Sequence, residues 1–245
     1  MTSSKERKLK ELESVFFPKS IAIVGASWDK YKTGYQYVDR LVAAGFKGKI
    51  YPVNPKGGEL LGLKVYPTLT AIPEPVDYVI VSIPRQSVLP LIKECAAKGV
   101  KAVQFFTAGF TEATDGIGQE LEAKIVKKAQ QGRFRIIGPN CIGVYCPESK
   151  IPLGSWAGLG EDGSISFLSQ SGGMAISIVE MGIARGINYN KGISYGNGCD
   201  LDSVDFLEYF ILDPKTTLSL VLIWKELRME DASLAPLRRQ LKLNR

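Results

Sequence analysis

With 245 residues, 45% of them hydrophobic and 23% charged, the chain has room for two modest cores, and this composition excludes a disordered polypeptide. It contains no histidine, which excludes Ser-His-Asp and Cys-His nucleophile systems and most zinc sites within these residues. The net charge of +6 gathers in Lys5–Lys10, Lys124–Arg135 and the last stretch of chain without interleaved aromatics, so the expectation is a solvated surface or an anionic small ligand, and no nucleic acid.

The N-terminal block, residues 1–14, predicts a charged helix without the apolar middle of a secretory signal. No apolar run approaches the roughly 18–20 residues of a membrane span, so the expected location is cytoplasmic, with no membrane contact. The four cysteines, Cys95, Cys141, Cys146 and Cys199, lack paired spacing and read as reduced, mostly buried thiols. No metal is expected in this chain.

Over residues 15–146, short β-branched runs alternate with amphipathic helical stretches. Ile21–Gly25, Ile50–Asn54, Tyr78–Pro84, Ala102–Thr107 and Arg135–Gly138 are five predicted strands. Near-continuous apolar strands separated by helices indicate an α/β fold, a Rossmann-like doubly wound parallel sheet covered on both faces. Ligands of such sheets bind along the carboxyl ends of the strands. Those ends carry Gly25-Ala26-Ser27, Asn54-Pro55-Lys56, Ile83-Pro84-Arg85, Thr107-Ala108-Gly109 and Gly138-Pro139-Asn140.

Residues 147–163 are rich in Gly and Pro and read as a linker. A second α/β unit follows over 164–228 with three predicted strands, SISFLS, KGISYG and LSLVLIW, and two helices between them. After Glu226 the alternation gives way to a charged tail, 229–245, so the second sheet reads as partial. Its open edge is one that a partner could cover.

In the first βα turn, Gly25 ends a strand and Gly34 opens a helix, which predicts main-chain amides close to a pyrophosphate. The spacing is not GxGxxG. A dinucleotide fold that holds a free ribose diol carries Asp or Glu after the second strand, whereas this chain has Asn54-Pro55-Lys56. A phosphorylated ribose fits better, and both NADP and coenzyme A meet that condition. Thr107, Ala108 and Gly109, with Asn140, supply small or hydrogen-bonding residues at strand ends. Ser169-Gln170-Ser171-Gly172-Gly173 joins a strand to an apolar helix and suits a phosphate oxyanion, while also serving as a helix cap. Gly196-Asn197-Gly198-Cys199-Asp200 and Glu226 are expected on the same rim.

In order, VGAS, YPVNPK, VSIPR, FFTAGF, IGPNCIGV, FLSQSGG, SYGNGCDLD and LIWKE resemble the CoA-binding region of NDP-forming acyl-CoA synthetases, relatives of the succinyl-CoA synthetase alpha subunit. The resemblance covers about residues 15–228. It implies a CoA-binding Rossmann-like domain followed by a partial flavodoxin-like ligase domain. Gly25, Ala26, Ser27, Gly34, Lys56, Ile83, Pro84, Thr107, Ala108, Gly109 and Asn140 would then line the CoA site. Ser169, Ser171, Gly172 and Gly173 would cradle the phosphate of a phosphohistidine, and Glu226 would orient that histidine. The family interconverts acyl-CoA, phosphate and NDP with free acid, CoA and NTP.

This sequence departs from the family in having no histidine and no ATP-grasp region. Phosphoryl transfer needs an acceptor atom, so the chain alone is expected to be inactive and to need a complementary synthetase chain. A stand-alone CoA-sensing module and an NADP-binding Rossmann protein are the alternatives. Association into a homo-oligomer is a further expectation.

Overall fold

Short buried apolar runs form the parallel sheet expected at the start of the chain, and a second sheet packs beside it in a computed structural model that describes residues 12–154 and 158–222. Most of the predicted N-terminal helix and all of the charged tail lie outside the described residues, although 12–16 are helical.

The elements in chain order are β1 (Ser20–Val24), α1 (Thr33–Ala44), β2 (Lys49–Val53), β3 (Gly58–Leu60), β4 (Leu63–Val65), β5 (Tyr78–Val81), α2 (Val88–Lys98), β6 (Ala102–Phe105), α3 (Ile117–Gly132) and β7 (Arg135–Ile137). Then come β8 (Gly143–Tyr145), β9 (Asp162–Ser169), α4 (Gly172–Ile183), β10 (Tyr189–Ser194), α5 (Ser203–Leu212) and β11 (Leu218–Leu222). The first sheet has the order β2-β1-β5-β6-β7, all parallel. Strands β1, β5 and β6 are buried at every position, as crossover helices on both faces require.

Two features depart from the sequence reading. The second sheet has four strands, in the order β11-β9-β10-β8, because β8 pairs antiparallel with β10. Residues 143–145, assigned above to the first unit, therefore complete the second sheet. Three residues are too few to show a period, so only the pairing reveals them. The other departure is the β3–β4 hairpin, which lies beyond the end of β2 and receives the Trp28 indole N–H at the Glu59 carbonyl, 2.7 Å away.

One core cluster runs through both units. It joins Ile21, Tyr37, Ile80 and Ile137 to Leu168, Ile193, Leu201, Phe206 and Phe210. Phe16 stacks on Tyr209 with ring centroids 5.1 Å apart, and each such fully buried aromatic contributes about 1.5–3 kcal/mol. Two ion pairs reinforce this packing. Arg135 on β7 donates through Nε and Nη2 to Asp200, which also accepts the Ile136 amide at 2.7 Å. Lys191, buried within the second sheet, reaches Asp213 at 2.7 Å and lies over the Phe17 ring. No described helix is long and apolar enough to cross a membrane.

Candidate functional site

The carboxyl ends of the first sheet face the start of α4, and a cleft of two adjoining parts lies between them. One part, about 600 Å³, is lined by Ile83, Pro84 and Arg85 after β5, Thr107 and Ala108 after β6, Asn140 to Ile142 after β7, and Gly172 and Gly173. An adjoining part, about 840 Å³, is lined by Thr111, Glu112, Gln170, Ser171, Met174 and Asn197. The two share Asn140 and Gly172.

Local sequence explains how each wall is held. Gly25 adopts φ +97°, and a Cβ there would lie 2.2 Å from the Ser82 carbonyl, so the turn after β1 admits only glycine. The amides of Gly25 and Ala26 both donate to the Val53 carbonyl at 3.1 Å. They brace β1 against β2 instead of pointing into the cleft. Gly34 is buried, and a Cβ there would meet the Gly25 carbonyl at 1.9 Å, so its role is close helix-to-strand packing. Asn54 secures the same turn by donating to the Ala26 carbonyl at 2.7 Å and accepting the Lys56 amide at 3.0 Å. The Ser27 hydroxyl accepts the Asp29 amide. Lys56 is exposed at the outer end of the rim and does not line the cleft.

At the cleft centre, Thr107 donates its hydroxyl proton to the Ile83 carbonyl at 2.7 Å, tying the β5 and β6 loops together. Among the described residues, the Asn140 side-chain amide has no hydrogen-bond partner and is exposed to the cleft. Ile142 is placed by a buried polar cluster. The Tyr78 hydroxyl donates to Gln104 Oε1 at 2.7 Å, and Gln104 Nε2 donates to the Ile142 carbonyl at 2.7 Å. Burial pushes the Tyr37 and Tyr78 hydroxyls well above their ordinary pKa, so both remain neutral donors.

The start of α4 is a ready anion site. Ser171 is its N-cap and accepts the Met174 amide at 3.4 Å, which leaves the Gly172 and Gly173 amides without a helical acceptor. A Cβ on Gly173 would meet nothing within 4 Å, so this position opens into the cleft. Ser169 behaves differently: it is fully buried and its hydroxyl donates to the Ser171 carbonyl at 2.8 Å, shaping the loop from beneath. Glu226 lies outside the described residues.

Sequence reading places Arg85 and Asn197 on the rim without a role and does not single out Glu112. Among the described residues, Arg85 is the only charged one lining the inner part of the cleft. Its Nη1 donates to the Gly109 carbonyl at 2.6 Å, and its Nη2 pairs with Asp115. Glu112 accepts the Gly109 amide at 2.6 Å and the Asn197 side-chain amide at 2.6 Å. Partial burial pushes the Glu112 pKa up, but Asn197 and the loop amides outweigh it and hold the carboxyl below its ordinary value. The buried thiol of Cys141 is pushed far up by burial and is no nucleophile at neutral pH. Among the described residues, no group of three or more Cys, Asp or Glu is placed to hold a metal ion.

Comparison with known proteins bears on this cleft directly. Residues 19–147 match the model of a CoA binding domain, which covers both the Gly25 turn and Asn140. The chain belongs to that family. Residues 162–228 match a succinyl-CoA ligase like flavodoxin domain. The chain is thus a homologue of the alpha region of ADP-forming acetyl-CoA synthetases, as several relatives indicate. It is 36% identical over 213 residues to the acetate–CoA ligase (ADP-forming) of Methanocaldococcus jannaschii, covering 87% of this chain and 30% of that protein. To the acetate–CoA ligase (ADP-forming) I subunit alpha of Pyrococcus furiosus it is 36% identical, covering 86% of this chain and 46% of that subunit. The structure of the dinucleotide forming acetyl-coenzyme A synthetase 1 of Ca. Korarchaeum cryptofilum, in complex with phosphate and ADP, superposes with a TM-score of 0.81 at 37% identity, covering 86% of this chain and 45% of that one. The chain therefore spans less than half the length of these relatives.

Proposed function

We propose that this chain is the CoA-binding part of an NDP-forming acyl-CoA synthetase, in which acyl-CoA, phosphate and NDP are interconverted with free acid, CoA and NTP. The observation that carries the reading is that the two adjoining parts of the cleft share Asn140 and Gly172 as wall residues. Along it, a ligand lying on the rim of the first sheet reaches the free amides at the start of α4.

The residues present fit coenzyme A. Gly173 leaves open space where a side chain would block the cleft, and Asn140 presents an unengaged amide. Lys56 follows β2 as a cation, which suits the ribose phosphate of CoA, and Thr107 and Ala108 keep the middle of the rim low. When bound, CoA supplies the thiol that accepts the acyl group. The chain's own contribution is to hold that thiol near Gly172 and Gly173, where a phosphate oxyanion gains from the helix N-terminus.

Phosphoryl transfer through histidine has no acceptor within these 245 residues. The reading therefore assigns the phosphohistidine and the NTP site to polypeptide outside this sequence. The P. furiosus relative being a subunit alpha supports that division. So does β11, which among the described residues is an edge strand with Leu218 and Leu220 exposed.

Calorimetric titration with CoA, dephospho-CoA and NADPH tests the binding assignment. CoA should bind tightest and NADPH should not compete; the reverse ranking would make this an NADP-binding Rossmann protein. Incubation of the chain alone with radiolabelled NTP should leave no acid-labile phosphoenzyme, and a stable one would sink the division of labour.

A further inference from the structure

We infer that Arg85 receives the diphosphate of the coenzyme bound in this cleft, and that Asp115 is the resident counter-ion that competes for the guanidinium until the diphosphate arrives. The inference rests on the CoA reading and deepens it by assigning the cation for the ligand's central charge.

Three observations converge. First, two main-chain donors of the first turn, the Gly25 and Ala26 amides, are already engaged by the Val53 carbonyl. Two phosphates still need a cation, and among the described residues Arg85 is the only charged one lining the inner cleft.

Second, the strand order sets the distances. The sheet runs β2-β1-β5-β6-β7, with Lys56 following β2 at one edge and Asn140 following β7 at the other. At about 4.8 Å per strand gap this rim is about 19 Å long, the scale of an extended CoA. A CoA laid along it has its ribose phosphate at Lys56 and its thiol at Gly172. Its diphosphate then falls one to two strand gaps from Lys56, beside the loop that carries Arg85.

Third, Arg85 is poised to bind and not merely to pack. Its side chain is 25% exposed. It uses one nitrogen on the Gly109 carbonyl and one on Asp115, which leaves donors of its five-proton fork for a phosphate. Asp115 is anchored independently by the Gly118 amide at 3.1 Å, so the carboxylate does not depend on Arg85 for its position.

The experiment is calorimetric titration of the full chain with CoA, dephospho-CoA and pantetheine. Arg85→Gln should weaken CoA and dephospho-CoA by the same factor, about tenfold or more, because both carry the diphosphate. It should leave pantetheine unchanged, and Arg85→Lys should recover part of the loss. Asp115→Asn should tighten CoA and dephospho-CoA several-fold by freeing the guanidinium. If wild type binds CoA and Arg85→Gln binds it equally well, the assignment fails while the CoA reading stands. Equal loss of pantetheine would mark a purely structural role and also overturn it. If Arg85→Gln does not fold, Asp115→Asn decides, with unchanged or weaker binding counting against the assignment. Wild type that does not bind CoA overturns the underlying reading itself.

Discussion

The side-chain amide of Asn197, in the loop after β10, donates to Glu112 Oε2 at 2.6 Å, in the loop after β6 of the other sheet. The same amide lies 3.0 Å from the Thr111 hydroxyl and 3.1 Å from Glu122. A residue of the second unit thereby fixes the Thr107–Phe110 loop of the first, since Glu112 also holds the Gly109 amide. Thr111, Glu112 and Asn197 all line the outer part of the cleft.

Asn197→Ala should consequently loosen the cleft more than it destabilises the fold. The contacts are largely exposed, so the expected loss of stability is about 1 kcal/mol or less. The rise in Tm given by added CoA should shrink clearly. A variant with full ligand-induced stabilisation would show that the tie does not set the site.

Two glycines should separate fold from binding. Gly34→Ala places a methyl 1.9 Å from the Gly25 carbonyl and should cost about 3 kcal/mol or more, visible as a large drop in the denaturant midpoint. A Cβ on Gly173 would meet nothing within 4 Å, so Gly173→Val should change stability by less than about 1 kcal/mol. Its side chain nevertheless occupies the cleft, and CoA affinity should fall at least tenfold by calorimetry.

Lys56→Glu should weaken CoA more than dephospho-CoA, because the proposed contact is with the ribose phosphate that only CoA carries. Equal losses for the two ligands would remove Lys56 from that role.

The buried Lys191–Asp213 pair predicts an acid-sensitive component of stability. Burial pushes the Asp213 pKa up, but Lys191, Thr216 and Asn190 outweigh it and lower the carboxyl from its ordinary 3.8. A depressed folded value means that this contribution is complete above about 3.8 and is lost as pH falls through the lowered value. Urea melts between pH 5 and pH 2 should show it. Lys191→Met removes the partner while leaving the carboxylate buried, at an expected cost of about 3–5 kcal/mol at neutral pH. The acid-dependent loss should shrink in that variant.

The five parallel strands of the first unit, and the turns that end them, are legible in the sequence. Each strand is apolar at successive positions, each ends in small or turn-forming residues, and such a sheet puts those ends on one rim. Ile83, Pro84, Thr107, Ala108, Asn140, Gly172 and Gly173 consequently meet in one cleft, as their places in the chain suggest.

Local periodicity carries no information about pairing between distant residues or about which way a rim side chain turns, and every departure has that origin. Strand β8 crosses to the second sheet because its partner β10 lies some fifty residues on. Ser169 faces inward because the Ser171 carbonyl takes its proton, and the Gly25 and Ala26 amides turn to Val53 because β2 lies beside β1. Arg85 enters the cleft, while Lys56 stays outside it, because Gly109 and Asp115 are folded against one and solvent surrounds the other. Hydrophobic spacing sets the layers; long-range contacts alone choose the charges that face the cleft.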